Sequence, residues 1–248
     1  MSLTIRVGIV GVRGYTGQEL VRILARHPYV EISYMAARNL KRPIPASSVF
    51  PGLGGKLNQS IKPWNLKHAA TACDLVFLAV PHGTAMSMAG ALLKRGLRVI
   101  DLSGDHRLRS TAIFAKAYGR KHSAPQSLRE AVYGLTELHR EEIFDAGLIA
   151  NPGCYPTAAV LALAPLAATR RLDPKQVIID AKSGVTGAGR SVRADLLFSE
   201  VNEELHAYKV NRHQHAPEID QELVRLGKGS FQCIFVPHLV PMNRGLLV

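Results

Sequence analysis

Short apolar runs alternate with amphipathic segments along the first part of the chain, an order that predicts alternating strands and helices. Residues 4–12, TIRVGIVGV, read as a buried strand. Tyr15–His27 carries apolar residues at helical spacing and stops near Pro28. Val30–Ala36 predicts a second strand, and Asn39–Asn65, rich in Pro, Gly and Ser, is expected to be mostly loop. Asp74–Val80, DLVFLAV, is continuously apolar, as in a parallel strand covered on both faces. Gly83–Arg95 predicts a helix, and Leu97–Leu102 and Gly147–Ala150 predict strands. The expectation for residues 1–150 is therefore an α/β domain with a Rossmann-like, doubly wound parallel sheet.

From residue 151 to 248 the alternation loosens. A helix is predicted over about Thr157–Arg171 and a strand over Gln176–Ala181, followed by the glycine-rich loop SGVTGAGR. Glu218–Leu226 reads as a helix, and Phe231–Pro241 as a strand with two prolines. A second, α+β domain is expected here. The apolar run through Leu246-Leu247-Val248 reads as an unfinished strand, so a longer parent chain is expected.

Composition narrows the function. With 47% apolar and 20% charged residues the chain is an ordinary globular one. The net charge of +12 is spread along the chain and gathers in no basic tract, and no aromatic RNA-binding motif accompanies it. Anionic small molecules, or an acidic protein partner, fit this charge better than nucleic acid. Three scattered cysteines form neither a disulfide framework nor a zinc pattern, which fits a reducing, cytoplasmic setting. The N-terminus enters its first strand without a signal-peptide layout, and no apolar stretch matches a bilayer.

Three segments carry chemistry. The first strand runs into GIVGVRGYTGQEL, where Gly8, Gly11, Gly14 and Gly17 recur every third residue and open onto a helix. Glycines permit the tight turn and the close approach of a pyrophosphate to the helix N-terminus. The second strand ends in Arg38 rather than in an acid that would read a ribose hydroxyl. Arg38 either pairs with a 2′-phosphate, which points to NADP, or is simply solvated. Pro81-His82 after DLVFLAV and Asp101–Arg107 after the next strand emerge at the same sheet edge. Arg107 is a candidate for gripping phosphate or carboxylate, and strand-end turn chemistry is the plainer alternative.

The second segment is Asn151-Pro-Gly-Cys154. It follows a strand and precedes a helix, with Pro156 suited to the first turn. A helix N-terminus lowers a thiol pKa from its usual value of about 8.5, so Cys154 is a candidate nucleophile, whereas Cys73 and Cys233 lie beside apolar strands and read as core. The third segment is Tyr208–Ile219. His213 and His215 alternate and would face one side of an extended backbone, where imidazoles can carry protons. No third clustered ligand supports a metal. Glu218 could orient a histidine, contact substrate or sit in the first turn of the next helix.

Taken in order, GVRGYTGQEL, AVPHG, DLSGDHR, GLTEL, ANPGCYPTA, HQHAPEI and HLVPMNRG make the chain resemble the N-acetyl-γ-glutamyl-phosphate reductases of arginine biosynthesis. The YPT after Cys154 separates it from the related aspartate-semialdehyde dehydrogenases. The resemblance implies NADPH-dependent reduction of an acyl phosphate to an aldehyde through a Cys154 thioester, with proton handling in the HQH segment, His213 slightly favoured over His215. It implies a substrate set of Arg107, Asn151, Glu218, Asn243 and Arg244. The implied NADP(H) set is Gly11, Arg13, Gly14, Tyr15, Thr16, Gly17, Arg38, Pro81, His82, Ser183, Gly184 and Gly187. It further implies a homodimer or homotetramer assembled through the second domain. A sibling acting on a carrier-linked acyl phosphate, and a non-catalytic NADP-binding protein, are the alternatives. Val12-Arg13, Gly104, His106 and Gln214 depart from the family pattern.

Overall fold

The structure, a computed structural model, describes residues 4–53, 57–173, 175 and 177–248. In chain order its elements are β1 (Ile5–Val10), α1 (Tyr15–Leu24), β2 (Val30–Ala37), β3 (Ile44–Pro45), β4 (Ser60–Pro63), α2 (Leu66–Ala72), β5 (Leu75–Leu78), α3 (Ala85–Leu93), β6 (Arg98–Asp101) and α4 (Thr111–Tyr118). There follow α5 (Pro125–Glu130), β7 (Val132–Tyr133), α6 (Thr136–Asp145), β8 (Leu148–Ala150), α7 (Cys154–Ala168), β9 (Ile178–Ser183), α8 (Phe198–Val201), β10 (His206–Ala207), α9 (Ala216–Gly227), β11 (Ile234–Leu239) and β12 (Leu246–Leu247). They form two compact units, Met1–Arg107 with His122–Asn151, and Leu108–Lys121 with Pro152–Val248.

The first unit is built on an eight-stranded sheet in the order β3-β4-β2-β1-β5-β6-β8-β7. Every pairing is parallel except β3 with β4. The chain builds outward from β1 through β2 to β4, then returns to β5 and builds the other way, which puts the topological switch point between β1 and β5. Parallel strands must be covered on both faces, and two buried clusters do this. One gathers Val10, Val76, Leu78, Leu92, Val99 and Leu148; the other gathers Val7, Ile9, Val21, Ile32, Met35 and Ile61.

The parallel α/β expectation holds. The first strand stops at Val10 because Gly11 takes φ +97°, and an added Cβ there would overlap the Ala79 carbonyl. The Asn39–Asn65 segment, apart from Gly54–Lys56, which lies outside the described residues, carries the two short strands β3 and β4 besides loop.

The second unit holds a four-stranded sheet in the order β10-β11-β9-β12, with β9 and β11 parallel and the outer pairings antiparallel. Alternate residues Ile179, Ala181 and Ser183 of β9 are buried, and so are Phe235, Pro237 and Leu239 of β11. Tyr155 of α7 packs edge-on against Phe235 at 5.3 Å between ring centroids, and α7 lies along α9. The opposite sheet face exposes Ile178 and Ile234, directly paired neighbours. Gln176, the expected start of this strand, lies outside the described residues. The helix expected from Thr157 starts three residues earlier, at Cys154 itself, with Gly153 as its N-cap.

Candidate active site

In the first unit the parallel strands deliver the sequence-predicted residues to one sheet edge. Gly11–Gly17 follow β1, Arg38 follows β2, Pro81-His82 follow β5, Asp101–Arg107 follow β6 and Asn151 follows β8. The glycine loop and the Pro81-His82 turn thus flank the switch point, where open α/β sheets take ligands. The loop is tight: Gly14 N–H donates to Gly11 O at 3.0 Å, and a Cβ on Gly17 would overlap the Gly11 carbonyl. Gly14 caps α1, no side chain caps that end, and no acid lies in its first turn. This cradle fits a pyrophosphate. Arg38 is exposed, with Nη1 donating to Thr84 Oγ1 at 3.4 Å, a position open to a 2′-phosphate.

The DLSGDHR loop is a buried hydrogen-bonded block. Asp105 accepts from the Gly83 and Met86 amides at 2.6 and 3.1 Å, and Gly104 N–H donates to His82 Nδ1 at 2.7 Å. Asp101 pairs with His106 at 2.6 Å, and the other His106 nitrogen lies 3.2 Å from Ser127 Oγ. Arg107, expected to grip phosphate, is buried instead. Its Nε donates to Asn151 O at 2.8 Å and its Nη2 to Leu102 O at 2.9 Å. Those donors clasp the chain just past β6 and just past β8, where the Asn-Pro-Gly turn begins.

In the second unit Cys154 is exposed at the first position of the 15-residue helix α7, without a side-chain cap or a first-turn acid. The other two thiols are buried. Burial pushes Cys73 up, and burial, with Asp220 next, pushes Cys233 up. Only Cys154 therefore combines access with the favourable field of a helix N-terminus.

The histidines meet, but in a turn rather than along an extended strand, with ring centroids 4.6 Å apart. Asn211 makes that turn: its N–H donates to Phe235 O at 3.1 Å and its Oδ1 accepts from Phe235 N at 3.0 Å. Asn211 and Lys209 both take left-handed backbone, φ +53° and +47°. Sequence reading passed over Asn211, although asparagine is a residue that tolerates this conformation. His213 is enclosed by Tyr155, Tyr208 and Phe235, and its Nδ1 accepts from the His215 amide at 3.1 Å. Burial, with Lys209 next, lowers its pKa to about 4. The His215 ring lies against Gly153, where a Cβ would sit 2.5 Å from Nε2. The imidazole that lies against Gly153 is thus that of His215, the less favoured of the two in the sequence. Glu218, expected among the substrate contacts, is fully buried, and its Oε1 accepts from Gly153 N–H at 2.8 Å.

Ser183 is the last residue of β9, and Gly184 and Gly187 follow it in a segment knitted to the turn that carries Asn243 and Arg244. Gly184 N–H donates to Gly245 O, Val185 N–H to Met242 O and Thr186 N–H to Asn243 O. A Cβ on Gly184 would press on the Met242 carbonyl at 2.8 Å. Asn243 and Arg244 are exposed. Among the described residues no cluster of three or more His, Cys, Asp or Glu could hold a metal, and no helix is long and apolar enough to cross a membrane.

A nucleotide cradle on a doubly wound sheet and a separate unit bearing a cysteine at a helix N-terminus define a semialdehyde-dehydrogenase type of chain. Family models agree: residues 6–146 match the semialdehyde dehydrogenase NAD binding domain, and residues 154–248 match the semialdehyde dehydrogenase dimerisation domain. The fold resembles aspartate semialdehyde dehydrogenase II of Vibrio cholerae, with TM-score 0.67 and 14% identity over 99% of this chain and 73% of that one. The NADP-bound aspartate semialdehyde dehydrogenase of Candida albicans gives TM-score 0.59 at 12% identity, over 98% and 69% of the two chains. More similar in sequence are the N-acetyl-γ-glutamyl-phosphate reductases of Syntrophobacter fumaroxidans, 48% identical over 243 residues, and Nitrosococcus oceani, 49% over 242. Each match spans 98% of this chain and 70% of the relative. The chain belongs to the N-acetyl-γ-glutamyl-phosphate reductase family.

Proposed function

We propose that the chain reduces N-acetyl-γ-glutamyl phosphate to N-acetylglutamate semialdehyde with NADPH, releasing phosphate, as a step of arginine biosynthesis. The observation that carries this reading is Cys154, exposed at the start of α7 directly after Gly153, the residue against which the His215 ring lies, in a chain of this family. Residues 1–150 hold NADP(H) through the Gly11–Gly17 loop and Arg38, and residues 151–248 supply the covalent chemistry. His215 accepts the Cys154 proton. The thiolate then attacks the acyl carbon, forming a C–S bond while the C–O bond to phosphate breaks and the phosphate leaves with its electron pair. Bound NADPH supplies the hydride that reduces the thioester carbon. Amide dipoles of the first turn of α7 stabilise the oxyanion that develops. His215 protonates that oxygen and takes the proton back as the C–S bond breaks, returning the thiolate and freeing the aldehyde. His213 stays neutral and orients its neighbour through the 3.1 Å bond to the His215 amide.

The exposed face of the second sheet, where Ile178 and Ile234 lie side by side, is the surface on which a second copy of the chain packs to form a homodimer. The chemistry is tested by following phosphate-dependent oxidation of the semialdehyde through NADPH absorbance. Cys154→Ala should lose turnover by at least about a thousandfold while keeping NADPH affinity, since the covalent route is gone. Activity preserved in that variant would refute the thioester route.

A further inference from the structure

Glu218 occupies the third helical position of α9, three residues after the N-cap His215. A glutamate there ordinarily reaches back to the N-cap amide of its own helix. Here the His215 amide is taken by His213 Nδ1, and the Glu218 carboxylate crosses to another helix, accepting from the Gly153 N–H at 2.8 Å. Gly153 is the N-cap of α7, and the next residue is Cys154. The same glycine carries the His215 ring against its Cα. One end of α9 therefore grips the cysteine turn twice, by an imidazole through packing and by a carboxylate through a hydrogen bond. A carboxyl group that is fully buried is costly to keep unless hydrogen bonds hold it.

We propose that Glu218 is a positioning residue: by holding the Gly153 amide it fixes Cys154 at the head of α7 and keeps the cysteine turn seated on the His215 imidazole. The proposal rests on the reading of Cys154 as nucleophile. What matters in it is reach. Glutamine keeps the length and a carbonyl acceptor; aspartate keeps the carboxyl group but falls one methylene short of the amide.

The test compares Glu218→Gln, Glu218→Asp and Glu218→Ala in the full chain, measuring iodoacetamide alkylation of Cys154 together with kcat and KM. Glu218→Gln should stay within about threefold of the wild type in both alkylation rate and kcat. Glu218→Asp and Glu218→Ala should lose at least about tenfold in kcat, with KM moving less than about threefold, as expected when a reacting group is displaced. Should Glu218→Ala fail to fold, the Gln and Asp pair decides alone. Aspartate matching the wild type while glutamine fails, or all three behaving alike, overturns the proposal. A wild-type Cys154 that resists alkylation and supports no turnover instead overturns the nucleophile assignment, so the two failures are distinguishable.

Discussion

Gly153→Ala isolates the contact on which the site depends. Gly153 has φ −66° and ψ 157°, values any residue adopts, so backbone strain does not enter. The cost is steric. The added methyl would lie 2.5 Å from His215 Nε2, 2.8 Å from Cδ2 and 2.9 Å from Cε1. Carbon contacts relax at about 3.5 Å, so the ring or the turn must retreat by roughly 1 Å. Retreat is hindered because the ring is buried, with His213 4.6 Å and Tyr155 5.9 Å away between centroids. Overpacking of this size costs about 1–3 kcal/mol. A displacement of about 1 Å between reacting groups lowers kcat on the order of a hundredfold. Urea unfolding and steady-state kinetics should show both, with KM nearly unchanged. A double-mutant cycle gives the decisive result. In a His215→Ala background the ring is gone, and the stability cost of Gly153→Ala should vanish, leaving a coupling of about 1–3 kcal/mol. If Gly153→Ala costs the same in both backgrounds, the clash with the imidazole is not its cause and the proposed geometry is wrong.

His213 sets a pH dependence. Burial lowers its pKa to about 4, below the ordinary value of about 6.5. Below pH 6.5 the unfolded chain takes up a proton that the folded imidazole refuses, so stability falls as pH drops towards 4 and is unaffected above 6.5. The loss reaches about 3 kcal/mol, and His213→Gln should remove it from unfolding free energies compared at pH 7 and 4.5. Arg38→Ala should raise the KM for NADPH about ten- to a hundredfold, the worth of a charge-assisted contact, and leave that for NADH nearly unchanged; equal effects on both cofactors would remove Arg38 from the 2′-phosphate site.

The parts of the molecule readable in the sequence are those governed by local pattern. DLVFLAV announces a doubly covered strand because burial on both faces removes polar alternation, and β5 lies inside it. The segments α4, α5 and α6 were not anticipated. They are short, and in α6 only His139 is buried, so no apolar stripe marks them. The cysteine turn was visible because Pro-Gly-Cys and the helix that follows are contiguous. The roles of Arg107 and Glu218 were not, because each acts on a backbone atom far away in sequence, 44 and 65 residues distant. Their residue types signal charge, whereas the structure uses them to grip main chain. The histidine turn depends on Asn211 meeting Phe235, a pairing across 24 residues that no local spacing encodes.

The loop after β6 reaches in several directions at once. Asp105 holds the Gly83 and Met86 amides, Gly104 holds His82, and Arg107 holds the Asn151 carbonyl. Two neighbouring strand ends hang from one short stretch of chain, so neither can be re-engineered alone. Grafting the Pro81-His82 turn from a relative would require transplanting residues 101–107 with it, as a single cassette.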